Sequence, residues 1–519
     1  MGGGSMNRVR NLTHADADWA GLRAVVTGVS VSGTAAATAL LRRGAHVHVV
    51  DGSDAEPQQA AAGALREQGA SVVLGEQAAT RLPGPPPDLV VTSPGWRPDQ
   101  PLLSAAMAAG VPVWSEVELA WRLRRICEPT RWLTLTGTNG KTTTVGMVEA
   151  IATAAGLRAA AVGNVGTPVV QAVTEAEPYD ILAVELSSFQ LHWTHSLSPL
   201  ASACLNLAPD HLDWHGSMQA YTQAKAKVYR GTQAACVYNG ADPATEQMVR
   251  AADVLDGARA VGFTLGVPGP SMLGVVDDVL ADRAFLAERG STAVELATVA
   301  DLAGPDGSPP APHNLANALA AAALTRAAGI PPAAVREGLR GFTPAGHRLA
   351  VVAHNGDVAW VDDSKATNAH AADASLSAYP SVVWVAGGLA KGARFEKLVA
   401  AHAHRLRGVV LIGVDQRPLA EALARHAPDV PVLAVAGTDT GAMTPLQPAR
   451  TVMSAAVQRA ARLARPGDTV LLAPACASMD QFRSYAHRGE EFAAAVREQM
   501  NGHRPGGIGR AGLQQSWAD

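Results

Sequence analysis

The sequence predicts an α/β protein of three domains, each built around a mostly parallel sheet with helices on its faces. Three observations lead there. The chain of 519 residues is too long for one hydrophobic core. Short β-rich runs alternate with helical stretches, the order that parallel sheets require. Pro- and Gly-rich punctuation then divides that alternation into three sections.

The first section (residues 1–128) carries strand candidates at Arg23–Thr27, His46–Asp51, Ser71–Leu74 and Asp88–Ser93, with a helix over Thr34–Arg43 and a rigid loop at Pro83–Pro87. The second (129–345) opens on Thr130–Thr136 and continues with strands at Ile181–Glu185 and Ala201–Asn206. It also holds a loop over Gly304–Pro312 and an Ala-rich helix from Asn314 to Ala328. The third (346–502) has strand candidates at Val358–Asp362, Val382–Ala386, Val409–Ile412 and Thr469–Leu472, and residues 503–519 read as a loose polar tail.

Composition narrows the function classes. Hydrophobic residues make up 48% of the chain, enough for several cores, although much of that is Ala and buries little area per residue. A net charge of -4 without a long basic stretch argues against nucleic acid as a partner. Cys127, Cys204, Cys236 and Cys476 are scattered, which suits a reducing compartment and opposes a zinc ribbon or disulfide scaffold. The segment Met1–Met6 lacks the apolar core of a signal peptide, and apolar runs such as Ala318–Ala323 are too short to span a bilayer. The expectation is a cytoplasmic monomer acting on small molecules, with no membrane insertion.

The strongest local signal is Gly137-Thr138-Asn139-Gly140-Lys141-Thr142-Thr143, between a strand and a helix. Its glycines let backbone N–H groups converge on phosphate oxygens, Lys141 neutralises terminal phosphates, and the Thr142 hydroxyl is placed to ligate Mg²⁺. Leu135 stands where a general Walker A loop has its first glycine. Alone, the loop implies a bound nucleoside triphosphate. Glu185 ends a hydrophobic strand, a position suited to a Mg²⁺ carboxylate and equally to a structural ion pair. His192, His195, His211 and His215 lack regular zinc spacing. Lys225 and Lys227 lie two apart and point to different helix faces. Gly28-Val29-Ser30-Val31-Ser32-Gly33, with Asp51 closing the next strand, is a dinucleotide-type turn without the middle glycine; Thr92-Ser93-Pro94-Gly95 is a second turn in that section.

Gly-Thr-Asn-Gly-Lys-Thr resembles the shortened phosphate loop of the Mur ligases and folylpolyglutamate synthases, and the resemblance continues through all three sections. It implies a Rossmann-like first domain, a central P-loop ATPase-like domain and a Rossmann-like last domain. It also implies amide formation through an acyl phosphate, with ATP and two Mg²⁺ ions. In this likeness Glu185, His211 and Lys225 match the metal residues, and Lys225 matches the lysine that CO₂ carbamylates. Gly163-Asn164-Val165-Gly166 matches a turn facing the muramoyl end of the substrate, with Ser187 and Gln190 on the same side. Asn314 and Asn317 match the adenine-side asparagines; Asn314 also suits a helix N-cap. Arg348 matches an arginine directed at the γ-phosphate.

Asp363 and Lys365 match ATP contacts, and Thr367 a contact to the incoming amino acid. Lys391, Ser478, Met479 and Tyr485 match the region that holds D-glutamate in the members that add it. The Ser30, Ser32, Gly33, Asp51, Ser93 and Gly95 set matches the uridine-nucleotide end. The implied substrates are therefore UDP-N-acetylmuramoyl-L-alanine, D-glutamate and ATP. His215 has no counterpart and reads as a loop residue. The first domain sets the chain apart from folylpolyglutamate synthases, which begin with the P-loop domain. An L-alanine-adding ligase remains an alternative, as does an ATPase or nucleotide sensor; the first domain alone would also admit an NAD-dependent oxidoreductase. Cys476 has no His or Asp partner placed by sequence and is not read as a nucleophile.

Overall fold

A computed structural model describes residues 8–84, 86–127, 129–304, 307, 309–343, 346–435 and 449–502. The segment Met1–Met6 and the tail 503–519 lie outside these residues. The chain forms two compact units, Met1–Pro344 and Ala345–Asp519.

The first unit contains two sheets. Strands β1 (Arg23–Thr27), β2 (His46–Asp51), β3 (Ser71–Leu74), β4 (Leu89–Thr92) and β5 (Val113–Ser115) pair in the order β3-β2-β1-β4-β5, all parallel. β4 is buried throughout and β1 in all but its first residue, which is why both read as unbroken β-rich runs. The chain leaves β1 in one direction and returns at β4 in the other. The crevice above the carboxyl ends of β1 and β4 is therefore the sheet's topological switch point.

The second sheet is built from β6 (Arg131–Thr136), β7 (Ala159–Gly163), β8 (Ile181–Glu185), β9 (Ala201–Cys204), β10 (Ala235–Asn239), β11 (Arg259–Phe263), β12 (Met272–Val276), β13 (Val279–Asp282) and β14 (Val294–Thr298). Its order is β14-β13-β12-β11-β10-β9-β6-β8-β7; β12 runs parallel to β11, and the β12–β13 and β13–β14 pairs are antiparallel. β6 sits between β8 and β9, so the phosphate loop emerges beside the strand ends that carry Glu185 and Asn206. The two sheets share one hydrophobic core. Trp121 from the first part meets Trp132 from the second edge to face, with ring centroids 5.1 Å apart.

The second unit holds β15 (Ala350–Asn355), β16 (Val358–Asp362), β17 (Val382–Gly387), β18 (Leu406–Ile412), β19 (Val432–Ala434) and β20 (Thr469–Leu472), ordered β15-β16-β20-β17-β18-β19. β15 and β16 form an antiparallel hairpin through Gly356 and Asp357; the remaining pairs are parallel. Alternate residues of β17 feed the two faces, Trp384 into one core and Val383 and Val385 into the other. β16, β20 and β17 are neighbours, and their carboxyl ends deliver the three loops singled out in the sequence to one edge. No helix among the described residues is long and apolar enough to cross a membrane.

Candidate active site

The phosphate loop runs from the end of β6 into the helix Lys141–Ala154, with Gly140 at φ +83° as its N-cap. A Cβ at Gly140 would collide with Asn317 Oδ1, so glycine is required both by the left-handed backbone and by the close approach of the helix Pro312–Ala327. Asn206 pins the loop. Its side chain accepts from Asn139 N at 2.9 Å and donates to Asn139 O at 3.2 Å, and its carbonyl accepts from Thr138 N at 3.1 Å. The Thr138 hydroxyl donates to Ala208 O and meets the Tyr221 hydroxyl at 3.0 Å. Lys141 Nζ donates to Gly137 O at 2.8 Å and Thr138 O at 3.0 Å, so its charge lies over the loop. Thr142 follows it in the first helical turn, and Thr143 is buried.

Lys225 approaches the same loop from the helix Met218–Ala226. It is 2% exposed and donates to Thr136 Oγ1 at 3.2 Å and Gly137 O at 2.8 Å. Burial, with Lys141 nearby, lowers its pKa from 10.5 to about 7. Lys227 turns away and donates to His192 O at 2.6 Å, so the two lysines have separate environments. Glu185 is 1% exposed; one carboxylate oxygen accepts from Asn164 Nδ2 at 2.9 Å, while Oε2 is buried with no hydrogen-bond partner. A buried, unsatisfied carboxylate oxygen beside a phosphate loop fits a divalent cation, which would take its lone pairs. No three His, Cys, Asp or Glu side chains among the described residues gather into a metal cluster.

His211 adopts a left-handed backbone (φ 52°) before the short helix Leu212–His215, with its ring against Phe189 and 3.6 Å from Asp210. His215 departs from its reading as a loop residue. It ends that helix, meets Ser188 Oγ at 2.9 Å and stacks with Phe189; burial lowers its pKa to about 4. Asn314 does not cap its helix, because the helix starts at Pro312 with Ala311 as N-cap; Asn317 is the buried partner of the phosphate loop. Ser187 and Gln190 form a reciprocal capping box on the helix Ser188–His192, and Gln190 Nε2 is left buried without a partner.

At the switch point of the first sheet, Gly28 (φ +89°) and Gly33 crowd Ser93, whose hydroxyl is buried and unpartnered. Ser30 is the N-cap of the helix Val31–Leu41 without a side-chain cap bond, Ser32 lies in its first turn, and Gly95 follows in the β4 turn. Asp51 accepts from Val29 N and Ser53 N, each at 2.9 Å, so it holds the turn itself.

In the second unit, Arg348 is flanked by two residues in left-handed conformation, His347 (φ 65°) and Leu349 (φ 45°). His347 Nδ1 lies 2.6 Å from Asp362 Oδ2. Burial raises the Asp363 carboxyl to about 6, against the pull of its Ser375 hydrogen bond and of Arg348. Lys365 sits 3.7 Å above the ring of Tyr485, a cation–π contact joining two residues far apart in sequence. Thr367 N donates to Lys365 O at 2.8 Å. Lys391 is exposed with φ 50°, Ser478 is buried, and Met479 is 67% exposed. Cys476 is buried and pushed up to about 12, an inert thiol.

Three groups at these sites carry no assignment from the motif reading. Asn206 follows a strand, where its amide was open to the same scrutiny as Glu185. Tyr221 lies four residues before Lys225 on one helical face, a spacing that signals a shared environment. Arg488 is fully buried and donates to Ser364 Oγ at 2.9 Å, Ser364 O at 2.8 Å and Cys476 O at 3.1 Å, tying two site loops together.

Fold and site together define an α/β enzyme with a phosphate loop and a metal-ready carboxylate in its second sheet. Comparison with known proteins agrees. The Mur ligase middle domain matches residues 135–325, the Mur ligase glutamate ligase domain 347–476, and the Mur ligase MurD-like N-terminal domain 22–115. UDP-N-acetylmuramoylalanine–D-glutamate ligase of Streptomyces avermitilis is 59% identical over 480 residues, covering 92% of this chain and 99% of that protein. The enzyme of the same name from Streptomyces coelicolor is 59% identical over 483 residues, covering 93% and 99%. In fold, the crystal structure of UDP-N-acetylmuramate–alanine ligase from Thermotoga maritima is similar, with TM-score 0.54, 19% identity and coverage of 92% of this chain and 100% of that one. The chain belongs to the Mur ligase family.

Proposed function

We propose that this chain adds D-glutamate to UDP-N-acetylmuramoyl-L-alanine with hydrolysis of ATP to ADP and phosphate. The observation that carries the reading is its 59% identity to two enzymes named for that addition, each covered over 99% of its length. The phosphate-loop geometry supports the ATP half. In this reading the first part (1–128) takes the uridine nucleotide through Ser30, Ser32, Gly33, Asp51, Ser93 and Gly95. The second (129–345) takes ATP through residues 137–143, Asn314 and Asn317, and the muramoyl end through Asn164, Ser187, Gln190 and His211. The third (346–502) contributes Arg348, Asp363 and Lys365 to ATP, and Thr367, Lys391, Ser478, Met479 and Tyr485 to the amino acid. The chain acts as a cytoplasmic monomer.

Lys141, Lys365 and Arg348 offset the triphosphate's charge while the L-alanyl carboxylate attacks the γ-phosphorus, giving an acyl phosphate and ADP. The amine of D-glutamate then attacks the acyl carbon, and phosphate leaves from the tetrahedral adduct. Glu185, with Thr142, His211 and Lys225, would hold Mg²⁺, which would supply further neutralisation of the phosphates. A lysine near pKa 7 has a substantial neutral amine fraction at physiological pH. That amine adds to CO₂, losing one proton, and becomes a carbamate; the buried cation is thereby converted into an anionic oxygen ligand.

The test is phosphate release from ATP with UDP-N-acetylmuramoyl-L-alanine and a panel of amino acids. Release with D-glutamate alone is expected. Release without any amino acid, or with L-alanine on UDP-N-acetylmuramate, would overturn the reading in favour of an ATPase or the L-alanine-adding ligase.

A further inference from the structure

Two buried carboxylates on one short helix tie the first sheet to segments of the second that carry substrate residues. The helix Glu116–Arg122 follows β5 directly and is buried on both its acidic positions. Glu118 accepts from His195 N at 2.8 Å, Ser196 N at 2.9 Å and Ser196 Oγ at 2.6 Å, and Arg122 offsets its charge at 2.7 Å. Its role is complete as a structural clamp. Glu116 differs. It is 2% exposed, its Oε1 accepts from Val170 N at 2.5 Å, and its Oε2 is buried with no hydrogen-bond partner.

Burying a carboxylate without a cation is costly, and a hydrocarbon side chain would pack there at less expense. The segment that Glu116 holds accounts for the exception. Val169 and Val170 follow the turn Gly163–Pro168. That turn is closed by Gly163 N donating to Thr167 O at 3.0 Å and is fastened to the metal strand by Asn164 N donating to Glu185 O at 2.9 Å. Asn164 Nδ2 donates to the Glu185 carboxylate at 2.9 Å. Each link from Glu116 to Glu185 is thus a short run of backbone or a hydrogen bond.

We propose that Glu116 is a positioning residue that sets the Gly163–Pro168 turn from the first sheet, and so aligns Asn164 for the muramoyl end of the uridine substrate. The inference rests on the ligase reading above. Burial raises the Glu116 carboxyl to about 7 and no charged side chain contributes, so glutamine is a close mimic of the group at neutral pH.

The experiment uses the full chain with Glu116→Gln, Glu116→Ala and Glu116→Asp, measuring kcat, the KM for each of the three substrates, Tm, and hydrogen exchange over residues 159–173. Expected are near-wild-type behaviour for Glu116→Gln, which keeps the acceptor. Glu116→Ala and Glu116→Asp, which remove or withdraw it, should raise the KM for the uridine substrate roughly tenfold, the factor for about 1.4 kcal/mol of lost binding. The KM for ATP should stay within about twofold of wild type, and exchange should accelerate over the turn. Unchanged KM values in Glu116→Ala, or a loss shared equally by every parameter in step with Tm, would overturn the proposal. Should Glu116→Ala fail to fold, Glu116→Asp carries the same comparison. If wild type makes no product with D-glutamate, the ligase reading has failed; unchanged exchange in Glu116→Asp, by contrast, defeats the positioning link alone.

Discussion

Dependence of activity on dissolved CO₂ offers the sharpest test of the Lys225 chemistry. Carbamylation needs the neutral amine, and burial sets its abundance. With a pKa of about 7, roughly a tenth of the side chain is neutral at pH 6 and about nine tenths at pH 8. The rate of carbamate formation at fixed dissolved CO₂ should therefore rise roughly tenfold over that interval and then level off. A solvated lysine at 10.5 would instead gain roughly a hundredfold and continue rising. The assay strips CO₂ from the enzyme, restores ¹³C-labelled CO₂ at a set concentration, and follows both the carbamate carbon by NMR and recovered phosphate release. A rate that climbs without a plateau to pH 10, or activity indifferent to CO₂, would refute the argument. The same shift has a stability counterpart. The folded chain sheds this proton before the unfolded chain does, so the buried ammonium weakens the fold at low pH. Stability in CO₂-free buffer then recovers as pH rises from about 7 toward 10.5.

Other consequences are equally direct. Gly140→Ala should destabilise the first unit by about 1–2 kcal/mol and raise the KM for ATP, because the new methyl meets Asn317 Oδ1 on a left-handed backbone; thermal unfolding and initial rates check it. Glu185→Gln should raise the Mg²⁺ concentration for half-maximal activity at least about tenfold, as read from a metal titration, with little change in Tm since the buried oxygen it alters has no protein partner. Arg488→Met removes three hydrogen bonds and should cost about 2–4 kcal/mol in the second unit, measured by chemical denaturation. A thiol reagent should label Cys127 in the native chain and leave Cys204, Cys236 and Cys476 unreacted, since those three are buried with thiols pushed up to about 11, 11 and 12.

Local pattern carried much of the fold. β1, β4 and β8 were legible because both-face burial demands continuous runs of β-rich residues, and the phosphate loop because few residue types tolerate its backbone. β7 (Ala159–Gly163) was not legible, since an Ala-rich run has helical propensity and only pairing with β8 makes it a strand. β12 to β14 escaped for a related reason: they are short and stabilised by antiparallel pairing with one another rather than by their own composition. The β15 hairpin did leave a sign in its Gly356-Asp357 turn.

The sequence by itself determined which chemistry is present: a phosphate loop, a carboxylate at the end of a strand, paired asparagines, and lysines at family positions. Those depend on residue type and spacing, which the chain carries regardless of how it packs. Tertiary structure decided what state those groups are in. Lys225 and Lys227 look alike in the sequence. Burial against Gly137 brings one to a pKa of about 7, while the other lies against the His192 carbonyl. Glu116 and Glu118 stand two residues apart on one helix, and only packing leaves one of them paired with Arg122 and the other without a cation. Desolvation and long-range hydrogen bonding are properties of surroundings assembled from distant parts of the chain, so no local reading of residues could supply them.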